Sequence, residues 1–245
     1  MTQNTWTKVD VIHHLSRLYG YRTYLEIVTP STGGMYAQID RSLFSSCHRL
    51  MYRCPDNYDD GLQIDFRSPH QDSTTCINAL KNAHYDIILV DPWHEYITSQ
   101  RDLALALKLI KKNGTIVVHD CLPPNQKTAH FQPQQGAWCG VTYKAFVDLV
   151  TTQSNLNYCT IDTDYGCGLI RKNGRRYGSP HDPHDPIIQE WLKIDDDFDR
   201  AFYFFHKHCH KLLNLISVEE FKSIQHRSIY DILYWLRHFT DCSCF

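Results

Sequence analysis

Short apolar runs rich in β-branched residues recur along the first half of the chain and alternate with amphipathic stretches. Such a run is typical of a buried strand, whereas apolar residues at helical spacing are typical of a helix. The strand pattern covers residues 24–28, 49–52, 62–66, 86–90 and 115–118. The helix pattern covers residues 9–18, 35–43, 76–83, 102–110 and 141–150. This alternation predicts an α/β fold with a mostly parallel sheet covered on both faces.

The rest of the chain predicts a closing hairpin followed by a helical region. Segments 159–162 and 168–171 flank turn-forming residues and fit an antiparallel pair of strands. Residues 187–239 combine helical periodicity with many aromatic side chains, which usually pack against something. We expect a sheet domain over 1–172, a linker over 173–186 and a helical C-terminal appendage over 187–245. The appendage is expected to form a lid or a homo-oligomer contact.

Composition and charge exclude several classes of protein. The chain has 245 residues, 42% apolar and 21% charged, which is enough to bury a core. Its net charge is -2 and its pI about 6.7, so no basic excess indicates nucleic acid or an anionic membrane as a partner. The start lacks the apolar segment of a secretory signal, and the apolar runs are too short to span a membrane. We therefore expect a cytoplasmic protein with reduced cysteines.

Acidic and imidazole side chains follow two of the predicted strands. Asp91 and His94 come after one strand, and His119 and Asp120 come after the next. Because ligands bind at the carboxyl ends of parallel strands, we expect these side chains to line a site. Asp91 suits a metal or a cationic ligand, and His94 suits a general base near neutral pH. The alternative is that Asp91 caps the next segment and His94 is an exposed loop residue.

Two carboxylates and an imidazole also form a candidate metal site. Asp91, His119 and Asp120 together suit a divalent cation such as Mg²⁺, Mn²⁺ or Fe²⁺. The alternative is a hydrogen-bonded His119–Asp120 pair that orients a loop. Both interpretations are open at this point.

Three other segments invite a functional interpretation. The strand that contains Glu26 ends in a turn of small residues, so backbone N–H groups could approach a ligand, although an ordinary tight turn has the same pattern. Trp138 lies between two glycines and could face a flat ligand or serve as a hydrophobic plug. The tract over 181–186 contains two histidines, but a proline after each aspartate favours an extended linker over a metal site.

Together these motifs resemble the class I S-adenosylmethionine-dependent methyltransferases. The closest resemblance is to the branch that contains O-methyltransferases of sugars and natural products and relatives of the cephalosporin hydroxylase. The residues that carry it are Leu25-Glu26-Ile27 before the glycine-bearing turn, Asp91-x-x-His94-x-Tyr96, Arg101-Asp102-Leu103 and His119-Asp120.

The resemblance implies a Rossmann-like, seven-stranded, mostly parallel sheet whose last strand is antiparallel. It implies S-adenosylmethionine as cofactor, Asp91 and His94 as catalytic residues, and Asp91, His119 and Asp120 as ligands of Mg²⁺ or another divalent metal. The implied cofactor-binding residues are Glu26, Thr29, Ser31, Gly33, Gly34, Asp56, Asp65 and Asp91.

The sequence departs from the family pattern at three positions. Val28 stands where the family usually has glycine, and this branched side chain could narrow the methyl-donor pocket. The second strand lacks the usual terminal acid, which leaves Asp56 as the candidate for the ribose. Cys121 replaces the asparagine that catechol-type enzymes carry after the second carboxylate.

Three functional hypotheses follow. The first is methyl transfer to a hydroxyl group of a small molecule such as a sugar, a glycan precursor or a secondary metabolite. The second is a metal-dependent enzyme or hydrolase on the same scaffold that uses Asp91, His119 and Asp120 without methyl transfer. The third is a non-catalytic binding or oligomerising protein, which Val28 favours and the intact strand-end residues disfavour.

Overall fold

Eight strands form one sheet within the residues that the computed structural model describes, which are 6–31, 35–172, 182 and 184–223. In chain order they are β1 (Thr23–Val28), β2 (Ser46–Met51), β3 (Phe66–Arg67), β4 (Tyr85–Val90), β5 (Ile110–Val118), β6 (Leu156–Ile161), β7 (Cys167–Lys172) and β8 (Leu215–Ile216). Their order across the sheet is β3-β2-β1-β4-β5-β7-β6-β8. The strands β1 to β5 run parallel, and β7 is antiparallel to both of its neighbours. The expected Rossmann-like, mostly parallel α/β sheet is confirmed, with β8 added to the seven strands expected.

Helices cover both faces of this sheet. In the described ranges they are α1 (Lys8–Tyr19), α2 (Ile77–Leu80), α3 (Tyr96–Leu109), α4 (Thr142–Thr152), α5 (Pro186–Trp191) and α6 (Phe198–Leu212). Alternate residues of a strand point to opposite faces, and β4 follows this rule. Its Ile88 and Val90 join the core beneath α3, α4, α5 and α6, whereas Ile87 and Leu89 join the core beneath α1.

The first helix has strong local signals at both ends. Thr7 and Asp10 form a capping box, in which each side chain binds the backbone N–H of the other residue. Gly20 ends the helix in the left-handed conformation, with φ of 66°, which costs glycine little. These signals place Lys8 in the first helical turn, where its side chain is 8% exposed.

Two predicted elements are wrong. The helix expected over 35–43 is a pair of single 3₁₀ turns, Tyr36–Gln38 and Arg41–Leu43. Asp40 separates them because its carboxylate accepts from the backbone N–H and the hydroxyl of Ser42, which competes with helix continuation. The strand expected over 62–66 is reduced to Phe66–Arg67, since the Asp65 carboxylate turns back to the Arg49 N–H of β2 at 2.8 Å.

Other boundaries moved without a change of element type. The third long helix begins at Tyr96 rather than at residue 102, and β2 begins at Ser46 rather than at residue 49. The segment expected to be wholly helical beyond residue 187 contributes β8, which pairs with β6 at the edge of the sheet. Residues 224–239 of that prediction lie outside the described residues.

The C-terminal helices share the core of the sheet. Ile188 and Trp191 of α5 and Phe202 and Phe205 of α6 belong to the same apolar cluster as Ile88 of β4. The division into a domain, a linker and an extension stays a prediction. None of the helices in the described ranges combines the length and the apolar character needed to cross a membrane.

Candidate active site

The candidate site lies at the carboxyl ends of β4 and β5. These strands are paired up to Val90 and Val118, so the residues that follow them, Asp91 and His119, start side by side. Asp120 adopts a positive φ of 60°, which is uncommon for a residue with a side chain and turns the chain sharply at the edge of the sheet. The ends of the two strands therefore lie side by side, as expected.

Four side chains form a buried charged cluster there. His94 Nε2 lies 3.0 Å from Asp120 Oδ2 and 3.7 Å from Asp91 Oδ1. His119 Nδ1 lies 3.1 Å from Asp120 Oδ2 and 3.4 Å from Asp91 Oδ1. Each side chain is less than a tenth exposed, so every charge must find its partner inside the cluster. The alternative in which His94 is an exposed loop residue does not hold.

A lysine from α1 completes the cluster. Lys8 Nζ lies 2.6 Å from Asp91 Oδ2 and 3.3 Å from His119 Nδ1. A cation in the first turn of a helix opposes the helix dipole, so this position is unfavourable unless a carboxylate compensates it. Asp91 provides that compensation.

The β6–β7 turn closes the site from the opposite side. The Asp164 carboxylate accepts from the backbone N–H of Lys8 at 2.8 Å and lies 3.5 Å from His119 Nε2. Because β7 is antiparallel to β5, its first residue meets the carboxyl edge of the parallel strands. Asp164 and Tyr165 both have positive φ values, 48° and 58°, so the turn is held in an uncommon conformation.

The electrostatics favour the charged form of each group. Burial by itself would lower the pKa of His94, but hydrogen bonds and charges from Asp120 and Asp91 outweigh it and raise the pKa to about 9. Burial opposes ionisation of Asp91, yet the charges of Lys8 and His119 hold its pKa well below its usual range. His94 is thus protonated at neutral pH and can accept a proton only at higher pH.

Glu26 lies in the middle of β1 on the face covered by α1. It is fully buried, its Oε2 accepts from the Tyr24 hydroxyl at 2.9 Å, and its Oε1 has no hydrogen-bond partner among the described residues. Burial raises its pKa to about 7, although the Tyr24 hydrogen bond and the charge of Arg49 act in the opposite direction. A buried acceptor without a partner indicates a place for a ligand donor.

The other predicted cofactor residues are scattered. Thr29 is buried and Ser31 is exposed in the turn after β1, while Gly33 and Gly34 lie outside the described residues. Asp56 is exposed in the loop beyond β2, and Asp65 binds the backbone of β2. The structure therefore brings Asp91 near Glu26 but brings neither Asp56 nor Asp65 into the charged cluster.

A basic residue, Arg53, follows the end of β2, where the family pattern predicts an acid. Arg53 has a φ of 51°, lies over the Trp93 ring at 4.7 Å and pairs with Glu95 at 2.8 Å. Val28, the departure from the family pattern, packs with Met51 in a small apolar cluster at the same edge.

The loop before α4 covers His94. The Trp138 ring lies 5.1 Å from the His94 ring and 5.2 Å from the Trp93 ring, which fits a plug over the site. Gly140 has a φ of 55°, and a Cβ at this position would collide with the His94 carbonyl. That carbonyl instead accepts from the Val141 N–H at 2.9 Å. Glycine is required here because the loop backbone touches the backbone of His94.

The predicted divalent metal does not fit this arrangement as it stands. Ligand atoms of Asp91, His94 and Asp120 do lie within 4.8 Å of one another, which differs from the predicted set by His94 in place of His119. However, the Lys8 ammonium already contacts Asp91 and His119, which are two of the three predicted ligands. The sequence interpretation missed Lys8 and Asp164. The available signal for Lys8 was its position directly after Thr7, a residue type that often caps helices.

This sheet order, with β7 antiparallel, is the methyltransferase form of the Rossmann-like fold. The O-methyltransferase TomG from Streptomyces achromogenes, solved in complex with SAM, shares 16% identity with a TM-score of 0.52, over 68% of this chain and 80% of that chain. Cofactor-bound Rv0187 from MTB shares 12% identity with a TM-score of 0.50, over 71% of this chain and 84% of that chain.

The family comparison agrees with the fold. Residues 17–121 match the family model described as a methyltransferase domain, a span that runs from the end of α1 to the residue after Asp120. The predicted resemblance to class I methyltransferases is therefore confirmed by the methyltransferase-domain match over this span and by the fold. No curated protein matches the sequence.

Proposed function

We propose that the protein transfers the methyl group of S-adenosylmethionine to a hydroxyl oxygen of a small molecule. The observation that carries this proposal is the buried cluster of Asp91, His94, His119 and Asp120 at the carboxyl edge of a methyltransferase domain. The cofactor supplies a methyl group on a sulfonium, which is a strong electrophile. The protein then has to align the acceptor oxygen and remove its proton.

Glu26 is the residue best suited to hold the cofactor. Its free Oε1 can accept from the ammonium of the methionine part, and its burial strengthens that interaction. Asp91 lies at the end of the adjacent strand, because β1 pairs with β4. Val28 packs with Met51 and Cys54 in a small apolar cluster.

The acceptor is assigned to a cleft beside the charged cluster. This cleft has a volume of about 430 Å³ and lies between the loop after β5, the β6–β7 turn and α6. Its lining includes Leu122, Pro123, Tyr165, His206 and His210. Asp164, which contacts both Lys8 and His119, also lines it and so joins the cleft to the cluster. Apolar and aromatic walls with imidazoles suit a small hydroxylated ring better than a polymer.

His94 is the proposed proton acceptor. Loss of the His94 proton at higher pH leaves a neutral imidazole that can take the acceptor's hydroxyl proton. Asp120, 3.0 Å from Nε2, would then stabilise the imidazolium that forms.

Calorimetric titration with S-adenosylmethionine and with its demethylated product, each with and without Mg²⁺, tests the proposal. Binding of both compounds in a 1:1 ratio is expected. Incubation with labelled S-adenosylmethionine and a panel of sugars, phenols and other small alcohols then identifies the acceptor class. Absence of cofactor binding under both conditions would sink methyl transfer and favour the non-catalytic hypothesis.

A further inference from the structure

The Lys8 side chain contacts two of the three predicted metal ligands, Asp91 and His119. Its Nζ contacts Asp91 Oδ2 at 2.6 Å and His119 Nδ1 at 3.3 Å. We propose that the Lys8 ammonium is the resident cation of this site and that it excludes a divalent metal from Asp91, His119 and Asp120. The exclusion itself does not depend on the proposed methyl transfer.

The position of Lys8 is fixed by its backbone. Its N–H donates to Asp164 Oδ2 at 2.8 Å, and the carbonyl of Trp6 accepts from the Thr163 hydroxyl. The capping box of Thr7 and Asp10 holds the same turn from the other side. These contacts fix the backbone from which the Lys8 side chain extends. A surface lysine that reaches a carboxylate usually lacks such anchoring.

Burial makes the pairing of Lys8 with Asp91 obligatory. Lys8 is 6% exposed and Asp91 is 2% exposed, so neither charge is compensated by water. A buried charge without its partner is strongly unfavourable, and removal of either member would leave one. The helix dipole opposes a cation at this turn, so the carboxylate is also what permits a lysine there.

A metal at the predicted site would have to compete with the ammonium for its ligands, because Lys8 Nζ contacts both Asp91 Oδ2 and His119 Nδ1. The other oxygen of Asp91, Oδ1, faces the histidines, but a cation bound there would share a single negative charge with the ammonium and be repelled by it. Metal binding would therefore be favoured only if the ammonium left its carboxylate or lost its proton.

Methyl transfer should therefore need no added metal, an expectation that rests on the proposed function. A fixed ammonium beside His119 supplies positive charge near the acceptor cleft without a dissociable ion. Its position is set by folding and cannot be changed by chelation.

Manganese titration followed by the electron paramagnetic resonance of free Mn²⁺ tests the inference on the full chain. The wild-type protein should leave the free Mn²⁺ signal unchanged, whereas Lys8→Met should bind one Mn²⁺ at least about tenfold more tightly than wild type. The double variant Lys8→Met with Asp91→Asn should lose that gain. Lys111→Met is the matched control, because it removes a lysine from an ion pair with Asp86 at 2.9 Å, at the other end of the strands.

Two results would overturn the inference. One is stoichiometric, tight Mn²⁺ binding by the wild-type protein, which decides the matter even if no variant folds. The other is a folded Lys8→Met, or a folded Lys8→Gln as the second neutral replacement, that gains no Mn²⁺ affinity. If no acceptor is ever methylated, these titrations still decide the cation question. If methylation is found, it should survive treatment with EDTA.

Discussion

At the scale of single residues, Glu26 and His94 both have raised pKa values, but they ionise in different ranges of pH. Glu26 is a buried acid with a raised pKa, and His94 is a buried base with a raised pKa. The first needs to lose its proton to bind a cationic ammonium, and the second needs to lose its proton to act as a base. Cofactor binding and turnover should therefore respond to different ranges of pH.

Replacement of Glu26 by glutamine should weaken S-adenosylmethionine binding by about tenfold to a hundredfold, the range expected for a lost charge-assisted hydrogen bond. In the wild-type protein, the association constant should rise as pH rises through about 7, because Glu26 ionises there. Calorimetry across this range measures both effects. The Glu26→Gln protein should show a flat profile, and a persistent rise in that variant would assign the titration to another group.

Replacement of His94 by alanine should spare cofactor binding and reduce turnover by about 10²–10⁴-fold, the usual contribution of a general base. In the wild-type protein, kcat should increase with pH up to about 9, since only the neutral imidazole accepts a proton. Stopped assays with labelled cofactor between neutral and alkaline pH provide the measurement. Loss of cofactor affinity in His94→Ala would count against this role.

At the scale of elements, α1 determines whether the charged cluster is complete. Most strands and helices were predictable because apolar periodicity reports burial directly, as in β4 and β5. The two wrong elements, the helix over 35–43 and the strand over 62–66, have the same physical cause. The carboxylates of Asp40 and Asp65 accept hydrogen bonds from backbone groups, and apolar periodicity does not report such bonds. Lys8 was missed for a related reason, because its partner Asp91 is 83 residues away in the chain.

Loss of the α1 cap should loosen this helix selectively. Thr7→Ala removes the capping box and should lower the free energy of unfolding by about 1 kcal/mol. Amide hydrogen exchange should become faster in Lys8–Tyr19. The matched control is Asp197→Ala, which removes the cap of α6, where the Asp197 side chain accepts from the Arg200 N–H at 3.0 Å. This control should leave exchange in α1 unchanged; equal loosening by both variants would mean that the caps act only through global stability.

At the scale of the whole molecule, α5 and α6 are packed on the same core as the sheet. Trp191 is fully buried, and its Nε1 donates to Asp148 of α4 at 2.7 Å. The sequence predicted helices here but not the surface against which they pack. An amphipathic pattern shows that one face of a helix is apolar, but it does not show which element covers that face. Oligomerisation through this region stays a prediction.

Replacement of Trp191 by alanine should therefore destabilise the entire protein by about 3–5 kcal/mol, as for other large buried aromatics. Chemical denaturation should show one transition with a lower midpoint. Tyr203→Ala is the control on the same layer, because Tyr203 is 76% exposed and its loss should change stability by no more than about 0.5 kcal/mol. Separate melting of residues 184–223 in the Trp191→Ala protein would instead support an independent extension.

The hydrogen bond between Lys8 and Asp164 joins residues 156 positions apart in sequence. A contact of such long range requires that folding has already brought α1 and the β6–β7 turn together. The charged cluster should accordingly mature late in folding, and an intermediate that already has β1 to β5 would still lack Lys8. In such an intermediate Asp91 would lack its ion pair with Lys8 and would be accessible to water and to dissolved cations. The parallel part of the sheet would then be assembled before the charged cluster is complete.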